Sequence, residues 1–148
     1  MRKQDKNLDG KIGHEIGITA GVLRRVFAAR IRRQVEDITP EQFAVLVRLS
    51  SGKGMNQNEI ADYVLKDDAT ITRVLDSLEK KKLAVRQKAE NDRRANVAFI
   101  TPRGVELVEQ VFPLIVQIDT KLHDGLKDEE LETAVRVLRR LRGNAMQL

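Results

Sequence analysis

Cysteine is absent from all 148 residues. With it go disulfide frameworks, thiolate zinc sites, iron–sulfur clusters, cysteine nucleophiles and thiol redox switches. Long apolar runs are missing too. Nowhere does the chain approach the ~18 consecutive apolar residues of a membrane helix, and the polar opening at residues 1–11 has no apolar signal segment behind it. These absences point to a cytoplasmic protein with no membrane partner and no covalent staples. Histidine is down to His14 and His123, one near each end; a metal site using both would have to form by packing two chains, so neither metal nor cofactor is expected. His14-Glu15 opens like H-E-x-x-H, but Ile18 stands where the second histidine is needed. Gly52-Lys53-Gly54 lacks the spacing and the hydroxyl of a phosphate-binding loop and reads as a tight turn. Ser50-Ser51 has no histidine nearby to build a triad. No enzyme is expected.

What the chain has is charge and helical periodicity. A 33% charged and 41% hydrophobic composition, with mean hydropathy -0.39, suits a single domain that buries roughly 70% of its unfolded surface. The net charge of +5 and pI near 9.7 permit a polyanionic partner. Val22, Leu23, Val26, Phe27, Ile31 and Val35 recur at three and four residues, predicting a helix from Ile16 to Val35. Thr39-Pro40-Glu41-Gln42 is a capping box with proline at the first helical position, and a second helix follows to the break at Ser50–Gly54. Asn56 and Glu59 pair as a cap for a short helix over about Gln57 to Leu65, with Met55 stapled onto Ile60. Asp67 caps a fourth helix, Asp68 to Lys82, which buries Ile71, Val74, Leu75 and Leu78.

After Leu83 the period changes. Ala84–Ala89 and Asn96–Ile100 read as strands flanking the polar turn Glu90–Arg94. Thr101-Pro102 restarts a long helix striped by Val105, Val108, Phe112, Ile115 and Ile118, which Pro113 should kink. A last helix, Asp128 to Leu141, opens on three carboxylates and closes on arginines. Phe27, Phe43, Phe99 and Phe112 are core candidates. The fold class is mainly α with a small β-hairpin wing, a winged helix-turn-helix plus helical elements at both ends.

The exposed face of the fourth helix then presents Ala69, Thr72, Arg73, Asp76 and Lys80, with Thr70 in its first turn. An arginine among small and hydroxyl side chains suits a DNA major groove, where it can bond guanine O6 and N7. From Lys80 to Arg94 the chain carries Lys80, Lys81, Lys82, Arg86, Lys88, Arg93 and Arg94 against Glu90 and Asp92. This matches the net charge of the whole chain and makes double-stranded DNA the expected partner.

Asp92-Arg93-Arg94, five residues, then Ile100-Thr101-Pro102-Arg103-Gly104 resembles the D-x-R-x(5)-L-T-x-x-G wing signature of the MarR (multiple antibiotic resistance regulator) transcription factors, with Ile100 in place of leucine. Ile38–Leu46, Asn58-Glu59-Ile60-Ala61 and Thr70–Lys80 resemble the same family in order and spacing. The resemblance implies a homodimeric, sequence-specific DNA-binding regulator, a repressor, acting on an inverted repeat. In it Arg73 sits on the recognition helix and Arg94, held by Asp92, enters a minor groove. It places the winged helix-turn-helix at about 39–101 of a single 1–148 chain and the dimerisation helices at about 14–36 and 102–146. The stripes Val22, Val26, Ile31 and Leu131, Val135, Leu138 would otherwise lie uncovered.

The resemblance also implies a small-molecule effector, a phenol or aromatic acid, in a cleft between the helical lobe and the winged helix. Lack of tryptophan sets the chain apart from the urate-responsive branch, and lack of cysteine from the thiol-switch peroxide sensors. The chain departs from the family pattern at Leu65-Lys66 and at Asp68-Ala69, where a basic residue and serine are common. A carboxylate at Asp68 is expected to stay off the DNA. Two other classes fit the same residues: a winged helix that binds protein or bends DNA without sequence choice, and a small-molecule-binding helical protein with a basic surface.

Overall fold

The computed structural model describes residues 7–35, 37–64, 66–91 and 96–148. Two compact units divide the chain, Met1–Leu114 and Ile115–Leu148. The first holds α1 (Ile12–Gln34), α2 (Pro40–Leu49), β1 (Met55–Asn56), α3 (Gln57–Val64), α4 (Asp68–Lys80), β2 (Ala84–Lys88), β3 (Asn96–Ile100) and the beginning of α5 (Pro102–Leu122). The second holds the end of α5 and α6 (Asp128–Ala145).

Local side-chain chemistry sets most helix starts. The Thr39 hydroxyl accepts from the Gln42 amide at 3.1 Å while Gln42 Oε1 accepts from the Thr39 amide at 3.2 Å, closing the capping box ahead of α2. Asn56 and Glu59 do the same for α3, at 2.9 and 2.8 Å. Asp67 Oδ1 accepts from the Thr70 amide at 2.7 Å to start α4. These bonds hold the exposed Asp67 carboxyl below its ordinary pKa, the Thr70 amide first and its hydroxyl next, against a small opposing effect of burial.

The end of α4 differs from expectation. The helix stops at Lys80 rather than Lys82, because the Lys82 amide donates to Glu79 O and the Leu83 amide to Leu78 O, both at 2.9 Å, with Lys82 at φ 58. That is a Schellman motif with lysine in the left-handed position that glycine usually takes. It turns the chain sharply, so that Leu83 and Ala84 are buried and β2 can start beside α4.

The sheet has three strands in the order β1-β3-β2, all antiparallel. The hairpin β2–β3 pairs Ala84 with Ile100 through Lys88 with Asn96. Beyond the expected hairpin, Met55 and Asn56 add a third strand opposite Ala98 and Val97. Gly54, at φ 69, makes this approach possible, since a Cβ there would meet the Phe99 ring at 2.5 Å.

Val45, Leu46 and Leu49 of α2, Ile60 of α3, Ile71, Leu75 and Leu78 of α4, and Val111 of α5 form the fully buried centre of the first unit. Three details depart from the sequence reading. Helix α1 begins at Ile12, earlier than Ile16, and α6 runs on to Ala145. Of the four phenylalanines only Phe43 is fully buried; Phe112 is 46% exposed, because Val108 and Val111 take the inward positions of that turn and Phe112 is rotated a further 100° from Val111. In the second unit Ile118 is buried, while α6 buries no residue and leaves Val135, Val137 and Leu138 exposed.

Candidate nucleic-acid interface

Helix α4 displays two opposite faces, as its spacing requires. Ile71, Val74, Leu75 and Leu78 are buried, whereas Ala69, Arg73, Asp76 and Lys80 are exposed and Thr70 and Thr72 half-buried. Arg73 reaches back to Thr70, its guanidinium 3.4 Å from the hydroxyl, and among the described residues it makes no ion pair. Asp68 is exposed at the first turn of α4, where the macrodipole favours a carboxylate.

Two glutamines that the sequence marked only as residues of helix starts brace this helix. Gln57, the first residue of α3, donates from Nε2 to Asp68 O at 3.1 Å and to the Thr72 hydroxyl at 2.8 Å; Thr72 in turn donates to Asp68 O at 2.9 Å. Thr72 is therefore already tied to the first turn of α4. Gln42, buried in α2, donates to the Ser77 hydroxyl at 3.0 Å and accepts from Lys81 Nζ at 3.1 Å. Lys81 also donates to Asp37 O and lies 3.4 Å from the Asp37 carboxylate. The only sequence signal for these braces is a glutamine at the start of each of two short helices, and that pattern ordinarily means capping.

At the root of the wing the signature residues Thr101 and Gly104 gain a physical account. Thr101 donates its hydroxyl to Lys82 O at 2.7 Å and accepts from the Gly104 amide at 3.1 Å, so one side chain joins the end of α4 to the start of α5. A Cβ on Gly104 would stand 2.3 Å from the Leu83 carbonyl oxygen. Only glycine lets α5 pass this close to the turn that launches β2.

The wing residues are distributed unequally. Lys88 is exposed at the end of β2. Asp92, Arg93 and Arg94 lie outside the described residues. Arg86, expected among the DNA contacts of the wing, and Asp76, expected among those of the recognition helix, bond to each other. The Arg86 guanidinium donates to Asp76 Oδ1, and its Nε donates to Glu79 Oε1 at 2.6 Å. Partial burial works to lower the Arg86 pKa, but the hydrogen bonds and charges of Asp76 and Glu79 outweigh it and hold the pKa above the ordinary arginine value.

Ordered as two bracing helices, an exposed-faced helix and a β-hairpin, these elements make a winged helix-turn-helix. The model of the MarR family matches residues 38–95. The chain is 34% identical over 110 residues to the HTH-type transcriptional regulator MhqR of Bacillus subtilis (strain 168), covering 74% of this chain and 76% of that protein. The S. aureus MepR–DNA complex superposes with a TM-score of 0.82 at 24% identity, over 90% of this chain and 98% of that one. A structure of Bordetella bronchiseptica BpsR, whose DNA binding is regulated by 6-hydroxynicotinic acid, gives 0.71 at 26% identity, over 86% and 98%. The chain belongs to the MarR family of winged-helix transcriptional regulators. No group of three or more potential metal ligands occurs among the described residues, and no helix there is long and apolar enough to cross a membrane.

Proposed function

We propose that the protein is a cytoplasmic repressor that binds an inverted-repeat operator as a homodimer and releases it when a small aromatic acid or phenol binds. The observation that carries the DNA reading is the exposed face of α4, where Arg73 stands beside Thr70 and Ala69 on a helix braced from α2 and α3. Arg73 and Lys80 contact the major groove, Ala69 and Thr70 fit against base edges or phosphate, and Lys88 and Arg93 take backbone phosphates. Arg94, oriented by Asp92, reads a minor groove. Residues at about 39–101 form the reading head, and those at about 14–36 and 102–146 the dimer contacts.

The effector reading is supported by a cavity of about 420 Å³ in the first unit. Val35, Ile38, Leu83 and Leu107 supply an apolar wall; Arg103 and Lys81, the latter already beside Asp37, supply cations for a ligand carboxylate, with Asp37 and Glu106 also in the lining. Lys81 is shared between this cavity and the Gln42 brace on α4. That supports a route from ligand to DNA contact.

Sequencing the fragments that the purified protein selects from its own genome tests the reading, with selection repeated in benzoate-type and phenolic ligands. Recovery of a common inverted repeat, lost with one of the ligands, is expected. Equal recovery of unrelated duplexes would make the protein a DNA-bending or protein-binding module instead.

A further inference from the structure

Resting on the DNA-binding reading, we infer that Arg86 is a positioning residue for DNA binding: it clamps the root of the wing to α4, so that hairpin and recognition helix approach DNA as one preformed head. The register of β2 argues for this first. Ala84 is buried, Val85 exposed, Arg86 mostly covered with its side chain 21% exposed, and Gln87 exposed. Arg86 pairs across the ladder with Ala98, which is itself buried. An arginine therefore occupies the inward phase of the strand, and the apolar Val85 faces out. A phosphate-binding arginine gains nothing from that phase.

The partners argue for it next. Asp76 and Glu79 stand three residues apart on α4, hence on one face one turn apart. Two different nitrogens of one guanidinium bond them, a geometry that suits the planar fork of arginine and not the single ammonium of lysine. Among the described residues these are the only side-chain hydrogen bonds from β2 or β3 to α4. They also occupy the charge. Asp76 and Glu79 are partly exposed carboxylates on the helix that presents Arg73, and unneutralised they would repel phosphate. A wing left to swing would have to be ordered at each binding event, which lowers affinity; the clamp does that ordering in advance.

The test compares wild type with Arg86→Lys, Arg86→Gln and Asp76→Asn on a duplex that the wild type selects, over a series of salt concentrations. A clamp predicts that each variant binds about three- to tenfold more weakly, with the salt slope unchanged. It also predicts that Arg86→Gln with Asp76→Asn costs no more than Arg86→Gln alone. Asp76→Asn must weaken binding although it deletes a negative charge, and Arg86→Lys must weaken it although it keeps a positive one. The inference is overturned if Asp76→Asn binds as well as wild type or tighter, or if Arg86→Lys keeps full affinity. A slope about 0.9 shallower for each wing in Arg86→Gln, the mark of a lost phosphate contact, overturns it too. Hydrogen exchange of the free proteins decides independently of any duplex. Faster exchange of Arg86→Lys confined to β2 and β3 supports the clamp; unchanged exchange, or loss spread through α2 and α4, contradicts it. If the wild type selects no duplex, the DNA-binding reading itself fails, and exchange still judges the clamp.

Discussion

The two units of the chain solve the burial problem in opposite ways. In the first, α2, α3 and α4 enclose their apolar residues and then add polar braces, Gln42 to Ser77 and Gln57 to Thr72, between helices that already pack. In the second, Ile118 is buried, but Val116, Leu122, Leu126, Val135, Val137 and Leu138 stay exposed. Apolar faces of that extent cannot be a finished core. The helices α2 to α4 of the first unit therefore have what a rigid reading head needs, and the second unit, like α1 with Ile18, Val22 and Val26 exposed, has what an association surface needs.

The sharpest way to break this comparison is to charge the second unit. Leu138→Glu leaves the first core untouched, so far-UV circular dichroism and the urea midpoint of the reading head should stay close to wild type. Operator affinity should fall about a hundredfold or more, because two half-sites would no longer be bound by linked heads. Sedimentation should show monomer. Retained dimer and retained affinity would mean that the exposed stripe of α6 serves something else.

Within the first unit the largest effect belongs to Gly104. Gly104→Val drives a branched side chain against the Leu83 carbonyl and should destabilise the protein by about 3 kcal/mol in urea unfolding. Lys82→Gly works the other way. Relief of the left-handed conformation should stabilise by about 1 kcal/mol, whereas Lys82→Ala should not. The smallest effect is the cap of α4. Because its folded pKa is depressed, the Asp67 carboxylate contributes fully at neutral pH and loses its contribution as pH falls through that depressed value. The difference in urea midpoint between wild type and Asp67→Ala should be present at pH 7 and shrink in strong acid.

How far the sequence foretold these features follows the range of the interactions. Caps are contacts over three residues, so Thr39, Asn56, Asp67 and Thr101 marked the starts of α2, α3, α4 and α5 before any coordinates. The buried stripe of α4 followed from its period. A strand of two residues, β1, has no period to detect. The end of α4 went unforeseen because lysine, not glycine, holds the left-handed position. The pairing of Arg86 went unforeseen for a related reason: its partners are seven and ten residues away, and in a basic segment nothing local distinguishes a paired arginine from a free one.

The central claim is that the exposed face of α4 reads bases, and binding of Arg73→Ala to a panel of single-base variants of the selected operator tests it most directly. The account predicts that preference at one position in each half-site relaxes by about 1 to 3 kcal/mol, with the other positions still discriminated. Preference unchanged at every position would contradict it.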